Sequence, residues 1–172
     1  MRAKAAAGNS LLDLASAVVE RARSAGAAVI VNDRADIARL SHAAGVHVGQ
    51  NDLSASDVRR LMGDEATVGL STHTSEQIDD AVEQPISYIA VGPVFATSTK
   101  ATGYDAVGLG GVRLAAERAR PAGLPVVAIG GITLDRAAEV INAGAGSVAV
   151  ITDLLSDGDP EKRVRAYLER LA

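Results

Sequence analysis

The sequence predicts an α/β fold with parallel strands, of the TIM (β/α)8-barrel type. Short β-branched runs alternate with longer stretches of helical periodicity, as expected for strands that are buried on both faces and joined by crossover helices. A small-residue helix end and a glycine precede several strands, as at Gly45 and Gly144, which is the joint of close-packed βα units. The units are evenly spaced and no GxGxxG turn follows the first strand, which favours a barrel over a doubly wound open sheet.

Strands are predicted from the apolar runs, and helices from the periodic stretches around them. The predicted strands are Ala27–Val31, Val46–Val48, Thr67–Leu70, Tyr88–Val91, Val126–Ile129 and Ser147–Ile151. The predicted helices are Ser10–Ala25, Asp36–Ala43, Ser54–Met62, Ser75–Val82, Gly110–Arg120, Leu134–Ala143 and Pro160–Leu171. Ser54, Ser75 and Thr133 are placed to cap helix N-termini, and Pro160 suits a first helical turn.

Composition narrows the class of protein. The 172 residues, 48% of them hydrophobic, suit one domain that spans residues 1–172. There is no long apolar run and no signal-peptide pattern, so we expect a cytoplasmic protein without a membrane partner. The absence of cysteine excludes disulfides and thiolate chemistry. A net charge of -4, with only three tyrosines and one phenylalanine, argues against nucleic-acid binding and favours a small-molecule ligand.

Two aspartates follow neighbouring predicted strands. Asp33 comes after the first strand, beside Asn32, and Asp52 comes after the second. Ligands of parallel α/β proteins bind beyond the carboxyl ends of the strands, so the two carboxylates could together hold one hard cation. Magnesium with a diphosphate is the natural occupant. The alternative is that each aspartate only caps a turn or a helix.

Later strand ends carry groups suited to phosphate. The segment Thr97-Ser98-Thr99-Lys100 offers three hydroxyls and an ammonium in a long connection, although a solvated polar loop is the alternative. Gly130-Gly131, together with the strand end at Ile151-Thr152, leaves backbone N–H groups uncovered, as phosphate sites of barrels do. The glycine pair alone is a weak signal, and a tight turn is the better explanation if the neighbouring loops take no part.

The histidines carry less information. His42 is expected near the end of a helix and exposed. His47 lies within a strand and is expected to be a hydrogen-bonded interior residue rather than a ligand. His73 stands at a strand end, where lining the site and a structural role are both open.

Five segments, in order and over nearly the whole chain, resemble the successive motifs of thiamine phosphate synthases. These are Val31–Arg34, Gly45–Leu53, Gly69–Thr74, Val91–Lys100 and Ala128–Thr133. The resemblance implies a (β/α)8 barrel that joins a hydroxymethylpyrimidine diphosphate to a thiazole phosphate and releases pyrophosphate. It also implies Mg²⁺ as the cofactor and small phosphorylated molecules as the partners.

The same resemblance implies roles for individual residues. Asp33 and Asp52 would be the magnesium ligands, and Lys100 and Ser71 would act in catalysis. The pyrimidine diphosphate would be bound by Arg2, Lys4, Asn32, Ser71 and Lys100. The thiazole phosphate would be bound by Thr97, Ser98, Thr99, Gly131, Ile151 and Thr152. Arg2 and Lys4 look like the end of a Gln-x-Arg-x-Lys strand motif of the family.

The resemblance further implies a strand, a helix and most of a second strand before Arg2, so the chain is expected to hold about six complete βα units of an N-terminally truncated barrel. Open sheet edges would then favour self-association. Two alternatives stay open: a thiazole tautomerase-like relative, which needs no diphosphate-bound metal, and a truncated non-catalytic paralogue that binds phosphate. Metal-dependent pyrophosphate release separates the synthase from both.

Overall fold

The structure, a computed structural model, describes Met1, residues 8–97 and residues 103–172. Strands and helices alternate along the described chain, and every strand pairing that the structure gives is parallel, which confirms the predicted α/β class. In order, the elements are α1 (Gly8–Ser24), β1 (Ile30–Asn32), α2 (Ala35–Leu40), β2 (Gly45–Val48), α3 (Ala55–Met62), β3 (Thr67–Thr72), α4 (Ser75–Ala81), β4 (Tyr88–Val91), α5 (Gly108–Ala119), β5 (Val126–Ile129), α6 (Leu134–Asn142), β6 (Ser147–Ala149), a 3₁₀ helix (Thr152–Leu155) and α7 (Pro160–Leu171).

The described chain divides into two compact units. The first contains Met1–Ser71 and Gln84–Tyr88, and the second contains Thr72–Glu83 and Ile89–Ala172. The prediction of one domain over residues 1–172 stays a prediction.

In the first unit, β1, β2 and β3 run parallel and in chain order. Val31 stands opposite Val46, and Val46 stands opposite Val68. All three side chains are buried, and each contributes about 1.5–3 kcal/mol relative to an exposed position. Among the polar residues of these strands, Asn32 and Ser71 lie at or near the carboxyl ends, and His47 lies within β2.

Met1 lies alongside β1. Its carbonyl accepts the N–H of Asn32 at 2.9 Å, and its amino group donates to the carbonyl of Ile30. A residue that bonds to both neighbours of Val31 in this way makes a parallel bridge, so Met1 continues the sheet of the first unit beyond β1. The residues that follow it, 2–7, lie outside the described chain.

In the second unit, β4, β5 and β6 run parallel. Ala90 stands opposite Val127, and Ala128 stands opposite Val148. Helices α5 and α6 bury Val112 and Val140. The unit therefore has its own apolar interior, and the loops after β4, β5 and β6 are left to carry polar groups.

Most predicted boundaries are confirmed to within a few residues, and β4, β5 and α7 have the predicted bounds. Strand β1 begins at Ile30 instead of Ala27, because the N–H of Ala27 closes the end of α1 by donating to the carbonyl of Ala22 at 2.9 Å. Strand β6 ends at Ala149 instead of Ile151, because Ile151 is the N-cap residue of the 3₁₀ helix that begins at Thr152.

One predicted helix cap is wrong. Thr74 caps α4 by accepting the N–H of Gln77 at 3.3 Å, whereas the hydroxyl of Ser75 bonds to the side chain of Glu76. Ser54 caps α3 as predicted, by accepting the N–H of Asp57 at 3.1 Å. Thr133 occupies the cap position of α6 without a side-chain hydrogen bond to the helix, and Pro160 begins α7.

Candidate active site

The turn after β1 presents Asn32 and Asp33. Asp33 has a φ of 64°, and the N–H of Arg34 bonds to the carbonyl of Asn32 at 2.8 Å, which makes a tight three-residue turn. The N–H of Asp33 donates to the carbonyl of His47 in β2 at 2.8 Å. Asparagine and aspartate adopt this left-handed conformation more readily than other non-glycine residues. The turn therefore fixes the backbone of Asp33 beside β2.

The turn after β2 holds Asp52. One carboxylate oxygen, Oδ2, accepts the N–H of Gly49 at 2.8 Å, so the turn-capping interpretation of this residue is correct in part. The side chain is exposed, and within the described chain no hydrogen bond to its other oxygen is given. Capping the turn and contributing an oxygen ligand are thus compatible.

Ser71 stands near the end of β3, half-buried. Its carbonyl accepts the side-chain amide of Gln50 at 2.7 Å, and its hydroxyl bonds to His47 Nε2 at 2.7 Å. The other ring nitrogen, Nδ1, lies 2.9 Å from the hydroxyl of Tyr88. His47 is therefore a hydrogen-bonded residue of the sheet, as predicted. Neither the contact of His47 with Tyr88 nor that of Ser71 with Gln50 was predicted.

Burial raises the pKa of Tyr88 to about 12, so its phenol is neutral near pH 7. Gly69 makes room for this phenol: a Cβ at that position would lie 2.1 Å from Tyr88 Cζ and 2.5 Å from His47 Nδ1. Because Gly69 stands opposite His47 in the sheet, the glycine is what allows tyrosine and histidine to meet there.

In the second unit, the loops after β4 and β5 pack through their backbones. The N–H of Phe95 donates to the carbonyl of Gly130 at 3.0 Å. Gly131 has a φ of 66°, and a Cβ on it would lie 2.7 Å from the carbonyl oxygen of Ala96. The tight-turn explanation is thus correct for Gly131. Thr97, two residues after Phe95, belongs to the same loop after β4 that packs against the loop after β5.

A cation also lies at these loops. The guanidinium of Arg136, in the first turn of α6, stands 4.5 Å from the centre of the Phe95 ring. Such a contact holds a cation near an aromatic face and contributes about 0.5–1 kcal/mol when exposed. Sequence reasoning did not single out either residue.

Ile151 and Thr152, both exposed, lie where the chain leaves β6 and enters the 3₁₀ helix. The next residue, Asp153, was not predicted. Its carboxylate accepts two bonds from Arg163, each of 3.0 Å, and one from the hydroxyl of Tyr167 at 2.6 Å. It also accepts the backbone N–H at the start of α6. Asp153 thus fastens the turn that carries Ile151 and Thr152.

His73 has a structural role. Its ring bonds to the carbonyl of Gly92 and stacks on Tyr104, with ring centres 4.2 Å apart. The hydroxyl of Tyr104 accepts the side-chain amide of Gln77 at 3.2 Å. These contacts hold the far end of the connection from β4 to α5. His42 is exposed just after α2, with a φ of 55°.

Five predicted site residues lie outside the described residues: Arg2, Lys4, Ser98, Thr99 and Lys100. Their roles stay predictions.

The donor set of the first unit fits magnesium. No group of three or more histidine, cysteine or acidic side chains that could hold a metal occurs among the described residues. A magnesium ion bound with a diphosphate commonly uses only one or two carboxylates, the other ligands being phosphate oxygens and water. Asp33 and Asp52, held in the turns after adjacent strands, would supply that number of hard oxygen ligands.

None of the helices that the structure describes has the length and apolarity that a membrane crossing requires.

The parallel βα units, with polar residues and glycines collected after the strands, define an α/β protein of the TIM-barrel class. A family model described as thiamine monophosphate synthase matches residues 1–154. The chain belongs to this family.

Individual relatives agree with the family model. The chain is 42% identical to the thiamine-phosphate synthase of Roseiflexus sp. (strain RS-1) over 166 residues, which are 96% of this chain and 69% of that protein. It is 39% identical to the thiamine-phosphate synthase of Chlorobium luteolum (strain DSM 273 / BCRC 81028 / 2530), over 98% of this chain and 78% of that protein. Among solved structures, the thiamine phosphate pyrophosphorylase from Pyrococcus furiosus matches with a TM-score of 0.90 and 28% identity, over 99% of this chain and 80% of that one.

Proposed function

We propose that the chain is a thiamine phosphate synthase, which condenses 4-amino-2-methyl-5-(diphosphooxymethyl)pyrimidine with a thiazole phosphate to give thiamine phosphate and pyrophosphate. The observation that carries the proposal is the set of polar residues after three consecutive strands of the first unit. The set lies near the carboxyl ends of β1, β2 and β3 or in the turns after them, and it consists of Asn32, Asp33, Asp52 and Ser71. The chain that carries it is a member of the thiamine monophosphate synthase family.

The proposed reaction needs no protein nucleophile. The bond between the pyrimidine methylene carbon and the diphosphate oxygen breaks, and its electron pair leaves on the pyrophosphate. The thiazole nitrogen then donates its lone pair to that carbon and becomes the positive nitrogen of the thiazolium ring. The protein must stabilise the leaving charge and align the two reactants. A site of carboxylates, hydroxyls and backbone N–H groups without cysteine suits these tasks.

The residues of the first unit suit the pyrimidine diphosphate. Asp33 and Asp52 would hold magnesium, which when bound neutralises charge that develops on the departing pyrophosphate. Asn32 and Ser71 supply neutral hydrogen-bonding groups beside them. Arg2, Lys4 and Lys100 would add cations.

The residues of the second unit suit the thiazole phosphate. Gly131 is half-buried against the carbonyls of Phe95 and Ala96, and α6 begins three residues later. Thr97 adds a hydroxyl from the preceding loop, and Ile151 and Thr152 add the start of a 3₁₀ helix. Ser98 and Thr99 belong to the same predicted set.

The test is to incubate the purified chain with both substrates and magnesium and to measure thiamine phosphate and pyrophosphate together. We expect equal amounts of the two products, no product when either substrate is omitted, and loss of turnover with a chelator. Conversion of a thiazole phosphate without pyrophosphate release would instead support the tautomerase-like alternative. Phosphate binding without any turnover would support the non-catalytic one. The aspartate pair argues against the tautomerase-like reading, since that activity needs no diphosphate-bound metal.

Self-association through sheet edges stays a prediction for this chain. In the second unit, β6 pairs with β5, and Ser147 in β6 is exposed. The structure describes no second strand partner of β6 within that unit, and unpaired strand edges are templates for further pairing. Light scattering after size-exclusion chromatography should show oligomers or aggregates. A monodisperse monomer would contradict the prediction.

A further inference from the structure

An imidazole bridges two hydroxyl groups in the first unit. His47 Nε2 lies 2.7 Å from Ser71 Oγ, and His47 Nδ1 lies 2.9 Å from Tyr88 Oη. All three side chains are partly buried. A neutral imidazole has one N–H donor and one acceptor nitrogen, so the directions of the two bonds are coupled. Whichever nitrogen carries the proton determines how the hydroxyl of Ser71 is used.

The tyrosine decides the direction. Its phenol is neutral, since burial raises the pKa of Tyr88 to about 12, and the proton of a half-buried hydroxyl is best satisfied by an acceptor within the protein. Within the described chain, the bond to His47 Nδ1 is the hydrogen bond given for Tyr88 Oη. If Nδ1 carried the proton, the phenol oxygen would accept it, and the phenol proton would have to find a different acceptor. The phenol therefore donates to Nδ1, and the imidazole proton lies on Nε2.

This tautomer fixes the role of the serine. The Nε2–H group donates to Ser71 Oγ and occupies one of its lone pairs, so the hydroxyl proton of Ser71 is directed elsewhere. In the opposite tautomer Ser71 would donate to the ring and would present only lone pairs to a ligand. An anion is attracted by the first arrangement and repelled by the second. Gln50 holds the Ser71 backbone in place through its 2.7 Å bond to the carbonyl.

We propose that Tyr88 and His47 are positioning residues that orient the hydroxyl of Ser71 as a hydrogen-bond donor toward the diphosphate of the substrate. The proposal rests on the proposed function for the identity of the anion. The direction of the relay, Tyr88 to His47 to Ser71, rests on the two hydrogen bonds of the imidazole and on the acceptor that the phenol proton needs, and not on the identity of the substrate. The two parts are therefore tested separately.

The direction is tested by long-range ¹⁵N–¹H NMR of the histidine rings, in the intact chain and at a pH where the ring of His47 is neutral. The chain has three histidines, and the signals that vanish in His47→Gln belong to His47. We expect the proton on Nε2 and an unprotonated Nδ1. A proton on Nδ1, or on both nitrogens, overturns the relay. This result does not depend on turnover, so it stands even if the chain proves to have no synthase activity.

The same spectrum offers a second readout. Replacing Tyr88 by Phe removes the donor to Nδ1 and so removes the reason for the Nε2–H tautomer. The His47 signals should then shift toward the other tautomer or toward a mixture. Unchanged His47 nitrogen shifts in Tyr88→Phe would show that the phenol does not set the tautomer.

The functional part is tested by a double-mutant cycle of Tyr88→Phe and Ser71→Ala. We expect Tyr88→Phe to lower kcat/KM for the pyrimidine diphosphate by about fivefold when Ser71 is present, and by less than about twofold in the Ser71→Ala background. The KM for the thiazole phosphate should not change. A merely structural tyrosine would give equal losses in both backgrounds, which overturns the proposal. Absence of activity in the unmodified chain would instead contradict the proposed function. The NMR experiment would still show whether the His47 proton lies on Nε2, as the relay requires.

Discussion

The carboxylate of Asp153 connects the 3₁₀ helix to α6 and α7, and Asp153→Ala should destabilise the second unit. The change removes two bonds from Arg163, the 2.6 Å bond from Tyr167 and the bond from the backbone N–H of Leu134. The side chain of Asp153 is only 12% exposed and that of Arg163 22%, so water replaces these bonds incompletely.

The magnitude follows from the groups left behind. A hydrogen bond to a charged group contributes about 1.5–3 kcal/mol, and a buried donor left unpaired costs about 1–3 kcal/mol. Arg163 can regain water and keeps its second partner, Asp157, whereas the hydroxyl of the buried Tyr167 loses its acceptor. We therefore expect a loss of about 3 kcal/mol in the free energy of unfolding. For a chain of this size, that corresponds to a fall of about 6–12 °C in Tm.

Asp157→Ala is the matched control, because Asp157 pairs with the same arginine at 3.3 Å but is 56% exposed. Exposed ion pairs contribute less than about 1 kcal/mol, so this variant should melt close to the unmodified chain. Thermal unfolding of the three proteins, followed by circular dichroism at pH 7, makes the comparison. Equal Tm values for Asp153→Ala and Asp157→Ala would refute the reasoning.

The effect of Asp153 should also depend on pH. The hydrogen bond from Arg163, followed by those from Tyr167 and Leu134, lowers the pKa of the Asp153 carboxyl in the folded chain against the opposing effect of burial. A depressed folded pKa contributes stability that is complete above the ordinary aspartate pKa of about 4 and is lost as the pH falls through the lowered value. The Tm difference between the unmodified chain and Asp153→Ala should therefore narrow below about pH 4. A constant difference down to pH 2 would contradict this.

The remaining predictions concern the metal, the leaving group and a helix. Asp33→Asn and Asp52→Asn should each lower magnesium-dependent coupling at least about tenfold, or about 1.4 kcal/mol, with unchanged circular dichroism; full activity in both would refute the paired ligands. Lys100→Ala should lower mainly kcat in steady-state kinetics, because a cation beside the leaving oxygen matters most in the transition state; a raised KM alone would contradict this. Gly110→Ala in α5 should raise the unfolding free energy by about 0.5–1 kcal/mol, since nothing lies within 4 Å of the added Cβ. Gly111→Ala should lower it in the same denaturant titration, since its Cβ would lie 2.5 Å from Val107 Cβ.

The order and type of the elements could be predicted because each depends on local pattern. The run at β4 is apolar and β-branched and has the predicted bounds, and α7 begins at Pro160, which fixes a first helical turn. Boundaries were missed where a backbone hydrogen bond decided them. The N–H of Ala27 is used to close α1 and is therefore unavailable to β1.

The positions of the candidate site residues could also be predicted in part. A polar residue that follows a buried run lies beyond the carboxyl end of a strand, as Asp33 and Asp52 do, whereas Ser71 is still within β3, one residue before its end. What each side chain contacts could not be predicted in this way. The bond that Asp52 accepts from the N–H of Gly49 depends on the turn, and the bonds that Asp153 accepts from Arg163 depend on α7, which begins several residues later.

The contact of Tyr88 with His47 shows why such partners are hard to find from sequence. The two residues are 41 positions apart, and nothing in either run marks the other. The signal lies in a third residue, Gly69, because a glycine inside an apolar strand lacks the side chain that would pack there. The strand register then determines which residues meet. Gly69 stands opposite His47, and the space left by its missing side chain admits the ring of Tyr88 from the next strand along the chain. In this chain, the glycine opposite the polar ring of His47 therefore marks the place where the hydrogen bond to Tyr88 forms.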